Sequence, residues 1–165
     1  MKSLIKIALP ILGFLIISCG GSSEENTQSQ TNSASESTKT VKAPKSTVKA
    51  SQRVDLENKG VGPVKSVTLE PEIDRQLAVE GKDVYGKMCI ACHKPDTKFI
   101  GPPPKGILER RSPEWVMNMI LNPEVMIQED PLAKDLLMEF NGSPMANQGL
   151  TREQARAILE YFRTL

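Results

Sequence analysis

Two cysteines and the only histidine of the chain lie within five consecutive residues, Cys89-Ile90-Ala91-Cys92-His93. Two thiols at this spacing can each add to a vinyl group of a haem as a thioether, and the histidine that follows is then held beneath the iron as an axial ligand. The C-x-x-C-H spacing is the attachment pattern of c-type haem. We therefore predict one covalently attached haem c, bound through Cys89 and Cys92, with His93 as a ligand of the iron.

Two other kinds of cysteine site share part of this pattern. A thioredoxin-like C-x-x-C follows a strand in a βαβ unit, whereas the residues around Cys89 have helical spacing. A zinc site needs four ligands, and the chain has one histidine and three cysteines, of which Cys19 has another predicted role. The haem interpretation is therefore favoured, and no cysteine is left over for a structural disulfide.

The attachment motif lies at the end of a predicted helix. Ile73, Leu77, Val84 and Met88 recur at helical spacing, so the helix is expected to begin at about residue 72 or 73 and to end at Met88. A proline-rich loop that includes residues 101–104 follows the motif.

Three more helices are predicted downstream. Ser112 is a helix N-cap followed by proline, and this helix is expected to end at Asn122-Pro123. Another helix covers about residues 131–140, and the last begins at Thr151, where a glutamine three residues later completes a capping box. Residues 71–165 are therefore predicted to form a single all-α domain.

The N-terminal residues 1–18 are typical of a secretory signal peptide. Lys2 and Lys6 precede an apolar run over residues 7–17, and that run is too short to span a bilayer, which needs ~20 apolar residues. We predict that the chain is exported.

A cysteine follows the apolar run directly. Ser18, Cys19 and Gly20 resemble the lipobox of bacterial lipoproteins, which implies cleavage before Cys19 and acylation of this residue. Two or three acyl chains anchor a protein durably to a membrane. The expected location is the periplasmic side of a bacterial membrane; the alternative is an ordinary cleaved signal with an incidental cysteine.

Residues 19–70 are predicted to be a flexible tether. From Gly20 to about Thr47 the chain is polar and nearly without large apolar side chains, a composition typical of disorder. Residues 54–69 have some extended character, compatible with a segment along the domain surface. The tether is interpreted either as a leash that lets the domain reach partners or as a plain spacer.

Net charge excludes one class of partner. The formal net charge is +1, and without Lys2 and Lys6 it is −1, so the chain has no global basic surface for nucleic acid.

From Gly81 onward, five segments occur in one order. They are Gly81-x-x-x-Tyr85 before the C-x-x-C-H motif, Gly101-Pro102, Arg110-Arg111-Ser112-Pro113-Glu114-Trp115, Pro144-Met145-Ala146-Asn147 and the final helix with Tyr161. On these segments the chain resembles a class I (mono-haem) cytochrome c in a bacterial lipoprotein form. The resemblance implies a small all-α fold wrapped around one haem, with the first and last helices crossing at Gly81 and with Tyr85 and Tyr161 packed near the crossing.

The second iron ligand cannot be another histidine of this chain, because His93 is the only one. The candidates are therefore methionines: Met88, Met117, Met119, Met126, Met138 and Met145. Met126, in a predicted loop, is a rival, and Met119 could line the pocket. The resemblance implies Met145, which lies in a proline-framed loop just before the last helix.

The resemblance also implies which residues surround the haem. The carbonyl of Pro102, or of Pro103 in an alternative register, would accept a hydrogen bond from His93 and orient its ring. Trp115, Arg110 and Arg111 would face the haem propionates. For these three residues the alternative is a packed aromatic ring and two solvated arginines.

An iron with two strong axial ligands has no open position for a substrate, so we predict a single-electron carrier and not an enzyme. One alternative is a haem-based sensor or peroxidase-like domain with a displaceable distal ligand, and another is a fixed electron-transfer subunit of an oxidoreductase complex. Basic residues between Lys82 and Arg111 could steer acidic redox partners.

The expected partners are redox proteins that meet a monomeric carrier at a membrane. They would be a respiratory complex and a terminal reductase or oxidase. By resemblance to lipoprotein cytochromes of anaerobic or microaerobic respiration, a nitrous-oxide reductase is a candidate acceptor.

Overall fold

The computed structural model describes residues 47–165. The predicted signal peptide (1–18), the predicted lipidation site Cys19 and the predicted tether up to residue 46 lie outside the described residues. No strand occurs within residues 47–165, where the β-type pairing is a single isolated bridge between Asp55 and Arg111. The predicted all-α class is confirmed, and no helix in this part of the chain is long and apolar enough to cross a bilayer.

The helices are α1 (Arg75–Met88), α2 (Pro113–Leu121), α3 (Pro123–Glu129), α4 (Pro131–Glu139) and α5 (Arg152–Phe162), with short 3-10 turns at Ala50–Gln52 and Ile107–Glu109.

The helix starts follow local capping signals. The side chain of Ser112 accepts a hydrogen bond from the amide of Trp115 at 3.1 Å, and Thr151 and Gln154 form both bonds of a capping box. Helix α1 begins two or three residues later than predicted because Asp74 is its N-cap and accepts a bond from the Leu77 amide at 3.0 Å.

One predicted loop is a helix. The sequence prediction ended the second helix at Asn122-Pro123 and placed Met126 in a loop, whereas Pro123 starts α3 and Met126 lies within it, fully buried. A proline ends one helix but also suits the first position of the next, because its missing N–H is not needed there. Asp130 and Pro131 repeat this arrangement at the start of α4.

Helices α1 and α5 cross with their backbones in close contact. A Cβ atom on Gly81 would overlap the backbone carbonyl of Ala157 in α5, so only glycine permits this approach. The rings of Tyr85 and Tyr161 pack beside the crossing with centroids 5.3 Å apart. The crossing and its two tyrosines therefore agree with what the resemblance implied.

The N-terminal part of the described chain is packed against the helices. We call residues 49–69 the strap. Val64 of the strap is only 1% exposed, and the Asn118 side chain of α2 pairs with both its N–H and its C=O, each at 2.9 Å. The prediction of a flexible tether as far as Glu70 is therefore wrong for the strap, and the folded unit begins about twenty residues before Pro71.

Further bonds to the strap come from α2 and α3. Ser112 Oγ donates to the Asn58 carbonyl at 2.6 Å, and the buried Met126 Sδ accepts from the Val61 amide at 3.0 Å. The strap has no regular hydrogen-bond ladder of its own, so these side chains satisfy its backbone groups.

Candidate haem-binding site

The attachment motif folds as one turn beyond the end of α1. The amides of Cys92 and His93 both donate to the carbonyl of Cys89, at 3.0 and 2.9 Å. This turn brings both cysteine side chains and the imidazole to the wall of one cavity. Both cysteines are free thiols, as attachment to vinyl groups requires.

The thiol of Cys89 is not activated in this setting. Burial, followed by the charge of neighbouring Cys92, raises its pKa to about 11. Before a haem is attached, it is therefore mainly an S–H group at neutral pH. In addition, no group of three or more His, Cys, Asp or Glu side chains within residues 47–165 could hold a metal ion, which disfavours the zinc alternative.

The ring of His93 is fixed on one edge and against one face. Its Nδ1 lies 2.8 Å from the carbonyl oxygen of Pro102, so we assign the ring proton to Nδ1 as the donor, which leaves the Nε2 lone pair available to a metal. Gly101 lies directly against the ring, and a Cβ there would overlap it. The structure thus selects Pro102 over Pro103 as the orienting carbonyl.

Tyr85 holds the backbone of the same histidine. Its hydroxyl donates to the His93 carbonyl at 2.6 Å, and the ring is only 2% exposed. Burial is the main reason that the pKa of Tyr85 is raised above its ordinary value, so the hydroxyl stays protonated and continues to donate well above neutral pH.

We expect Tyr85→Phe to lower the free energy of unfolding by about 1–2 kcal/mol, because the carbonyl of His93 loses its donor in a buried place. Denaturant titration of the haem-loaded protein measures this. Tyr161→Phe is the control, since the Tyr161 hydroxyl makes no hydrogen bond within residues 47–165 and its ring is equally part of the aromatic cluster. Equal losses in the two variants would contradict the role given to the Tyr85 hydroxyl.

The cavity has a volume of about 250 Å³ and its walls are mainly apolar. Helix α1 and the attachment turn form one side, and α2, α4 and α5 contribute apolar side chains to the others. A flat, largely apolar macrocycle fits such walls, and the thiols and imidazole at the edge match the groups that c-type haem needs. Among the residues lining it are Cys89, Cys92, His93, Pro102, Arg110, Arg111, Trp115, Ile120, Phe140, Met145, Ile158 and Phe162.

The structure divides the methionine candidates into two groups. Met88, Met119 and Met145 line the cavity, whereas Met117, Met126 and Met138 do not. The sulfur of Met126 also has another partner, because it accepts a hydrogen bond from the Val61 amide. Its candidacy as an iron ligand is therefore wrong. Met88 is the last residue of α1, directly before Cys89, and so belongs to the attachment side of the cavity with His93. Met145 remains, with Met119 as the alternative.

The three residues expected near the propionates all line the cavity, but their polar groups already have protein partners. Trp115 Nε1 donates to Asp130 at 3.2 Å, and Arg110 donates to the Lys105 carbonyl at 3.2 Å. Arg111 is 3% exposed and donates to backbone carbonyls. The alternative of a solvated arginine is thus wrong for Arg111.

Sequence reasoning missed one element of the cavity wall. Ser51, in the strap, lines the cavity, and its amide and hydroxyl both bind the carboxylate of Glu139, at 2.9 and 2.5 Å. Nothing near Ser51 in the sequence signals this, because its partner lies 88 residues further along the chain.

Known proteins match the chain over most of the region that builds this site. The family model described as Cytochrome c matches residues 78–165. A cytochrome c from Rhodothermus marinus is 47% identical, with a TM-score of 0.60, and the match covers 62% of this chain and 88% of that one. An engineered cytochrome c from Rhodothermus marinus, Rma TDE, is 46% identical, with a TM-score of 0.60 and coverage of 62% and 89%.

A third solved structure is the same engineered protein bound to a carbene intermediate, 1-ethoxy-1-oxopropan-2-ylidene. It is 46% identical, with a TM-score of 0.58 and coverage of 62% and 88%. No curated protein matches the chain. The turn at Cys89, the fixed imidazole and the apolar cavity agree with the family match, which spans more than half of the chain: this protein belongs to the cytochrome c family and carries covalently attached haem c.

Proposed function

We propose that this haem electron-transfer protein is a single-electron carrier tethered to a membrane, and that His93 and Met145 are the two ligands of its iron. The observation that carries the proposal is the cavity wall, which presents one oriented imidazole and, from the loop before α5, one thioether. The bound haem would supply reversible one-electron oxidation and reduction. Cys89 and Cys92 would hold it covalently.

The chain's own groups suit a carrier. Pro102 orients His93 through the Nδ1–H bond, and a methionine ligand raises the reduction potential. Tyr85 holds the attachment turn in place through the His93 carbonyl. The fixed imidazole of His93 and a thioether from Met145 would fill both axial positions of the iron, which favours electron transfer over binding of a substrate.

The cavity reaches the surface beside the attachment motif. Met88 and Ile100 both line it and are 45% and 48% exposed, so a redox partner can approach the cofactor there. Lys94 lies 5.1 Å from the ring centroid of the exposed Phe99. An apolar patch with a neighbouring cation suits a partner whose docking face is acidic with an apolar centre.

The proposal also includes a location at a membrane and two redox partners. A lipid on Cys19 would keep the domain at the periplasmic side of a bacterial membrane, where a respiratory complex would donate electrons and a terminal reductase or oxidase would accept them. A nitrous-oxide reductase is the acceptor that the sequence resemblance suggests.

Replacement of Met145 by alanine tests the proposal. We expect the unmutated ferric protein to show the weak red sulfur-to-iron absorption band and Met145→Ala to lack it. The reduction potential should fall by on the order of 0.1 V, since axial ligands span a range of ~0.8 V. Met138→Ala is the control, because Met138 is 74% exposed and lies away from the cavity.

Other outcomes would point elsewhere. A band that survives in Met145→Ala and disappears in Met119→Ala would make Met119 the ligand. An unmutated protein without the band, whose ferrous form binds carbon monoxide at neutral pH, would support the sensor or peroxidase-like alternative instead of the carrier.

A further inference from the structure

Arg111 is a buried cation at the wall of the haem cavity. It is 3% exposed, it lines the cavity, and its guanidinium carbon lies 5.3 Å from the ring centroid of Trp115. Burial is the main reason that its pKa is lowered. Among the buried polar and charged side chains within residues 47–165, Arg111 is the one with a positive charge.

The strap holds this guanidinium in place. Arg111 donates through Nη2 to the carbonyl of Ala50 at 2.6 Å and through Nη1 to the carbonyls of Arg53 and, at 2.8 Å, of Arg110. Two of these three acceptors belong to the strap. Backbone carbonyls satisfy the donors without neutralising the charge. The charges of Asp55 and Asp130 raise the pKa of Arg111 and those of Arg110 and Arg53 lower it, so two carboxylates and two further guanidiniums share its surroundings, and Arg111 itself stays charged in a poorly solvated place.

The turn that presents these carbonyls is itself fastened beside the cavity. Ser51 lies between Ala50 and Arg53, whose carbonyls accept from Arg111. It binds Glu139 of α4 through its amide and its hydroxyl and lines the cavity. The strap lies wholly before residue 78, where the match to the family model begins. This part of the site is therefore outside the region that the family match covers.

We propose that residues 50–53 of the strap act as part of the redox site, by positioning Arg111 so that its charge stabilises the reduced haem. Reduction adds one negative charge to the cofactor, and a fixed cation at low local dielectric favours that state. The strap thereby raises the reduction potential. Residues 50–53 are positioning residues in this scheme, because they act on the haem only through the charge of Arg111.

The test is a double-mutant cycle on the reduction potential of the haem-loaded protein. Ser51→Pro removes the amide and hydroxyl that bind Glu139 and disfavours the helical conformation of Ala50, without changing any charge. Arg111→Gln removes the cation. We expect each change to lower the potential, and we expect Ser51→Pro to cause no further fall when Arg111→Gln is already present.

Lys59→Ala is the matched control within the strap. Lys59 lies 3.6 Å from Glu114 at the surface and does not line the cavity, so the potential should stay unchanged. If Arg111→Gln does not fold, Arg111→Lys replaces it, because lysine keeps the charge but cannot donate to three carbonyls in the geometry of a guanidinium. The potential should then fall, and Ser51→Pro should add little to that fall, because the strap no longer fixes the charge.

Two results would overturn the inference. One is an equal fall of the potential on Ser51→Pro with and without Arg111, which would mean that the strap only shields the haem from water. The other is an unchanged potential in both single variants. The inference rests on the proposed electron-carrier function, but the two can fail separately. If the red sulfur-to-iron band is present in every variant, the His93 and Met145 ligand pair stands even where the potentials contradict the role of the strap.

Discussion

Replacing Gly81 by alanine will destabilise the protein by about 1–3 kcal/mol or more, because the new Cβ would overlap the backbone carbonyl of Ala157 where α1 crosses α5. A flexible side chain could move aside, but a carbonyl in the middle of a helix cannot move alone. The two helices must separate, and the aromatic contact between Tyr85 and Tyr161 beside the crossing loosens with them. Denaturant unfolding, followed by helical circular dichroism, measures the loss.

Gly86 provides the matched control on the same helix. A Cβ on Gly86 meets no atom within 4 Å, so Gly86→Ala gains only the helix propensity of alanine and should stabilise the protein by about 0.5–1 kcal/mol. Both variants share this gain in propensity, so the difference between them isolates the overlap at the crossing. Similar stabilities of the two variants would show that α1 and α5 are further apart than the structure places them.

Asn118→Ala is expected to cost about 3 kcal/mol or more. The Asn118 side chain accepts from the Val64 amide and donates to the carbonyls of Val64 and Lys59, all at 2.9 Å. The residue is 1% exposed, and alanine would leave these backbone groups without partners in a largely dry interface. Each buried group left in this state costs about 1–3 kcal/mol.

Amide hydrogen exchange at Val64 locates the effect, because its N–H should exchange much faster in Asn118→Ala than in the unmutated protein. Arg152→Ala is the control: its 3.4 Å bond to the carbonyl of Ser66 is exposed, and its loss should change stability by less than about 0.5 kcal/mol. Unchanged exchange at Val64 in the asparagine variant would mean that the strap is held by other contacts.

The helices were predictable where their signals are local. Ser112, Thr151 and Gln154 cap helices within three residues of themselves, and the spacing of the C-x-x-C-H motif follows from the chemistry of one cofactor. Such signals need no knowledge of the rest of the chain, so a single sequence contains them.

The strap was not predictable in this way. Its valines and leucines are scattered among polar residues without a sustained helix or strand period. Its partners are single side chains far along the sequence, such as Asn118, 54 residues from Val64. The same reasoning explains α3: Pro123 is a valid helix end and a valid helix start, and the burial of Met126 beneath the strap decides between them.

In the candidate site, too, the residues with local sequence signals were predictable and those placed by long-range contacts were not. Cys89, Cys92 and His93 follow from the motif, and Pro102 follows from the family's turn, because each lies within about ten residues of the next. Ser51 and the carbonyls that hold Arg111 required the folded structure, because the strap reaches the cavity only through long-range contacts.

Helix α5 has a consequence for the order in which the chain can fold. The amide of Asp74, the N-cap of α1, donates to the fully buried carboxylate of Glu160 in α5, 86 residues further along the chain, while Ile158 and Phe162 of the same helix line the cavity. Closing so long a loop costs entropy before any contact repays it. Until residues 152–162 have docked, the folding domain therefore lacks both this link between α1 and α5 and one wall of its cavity, so α1 and the attachment turn stay accessible up to that step.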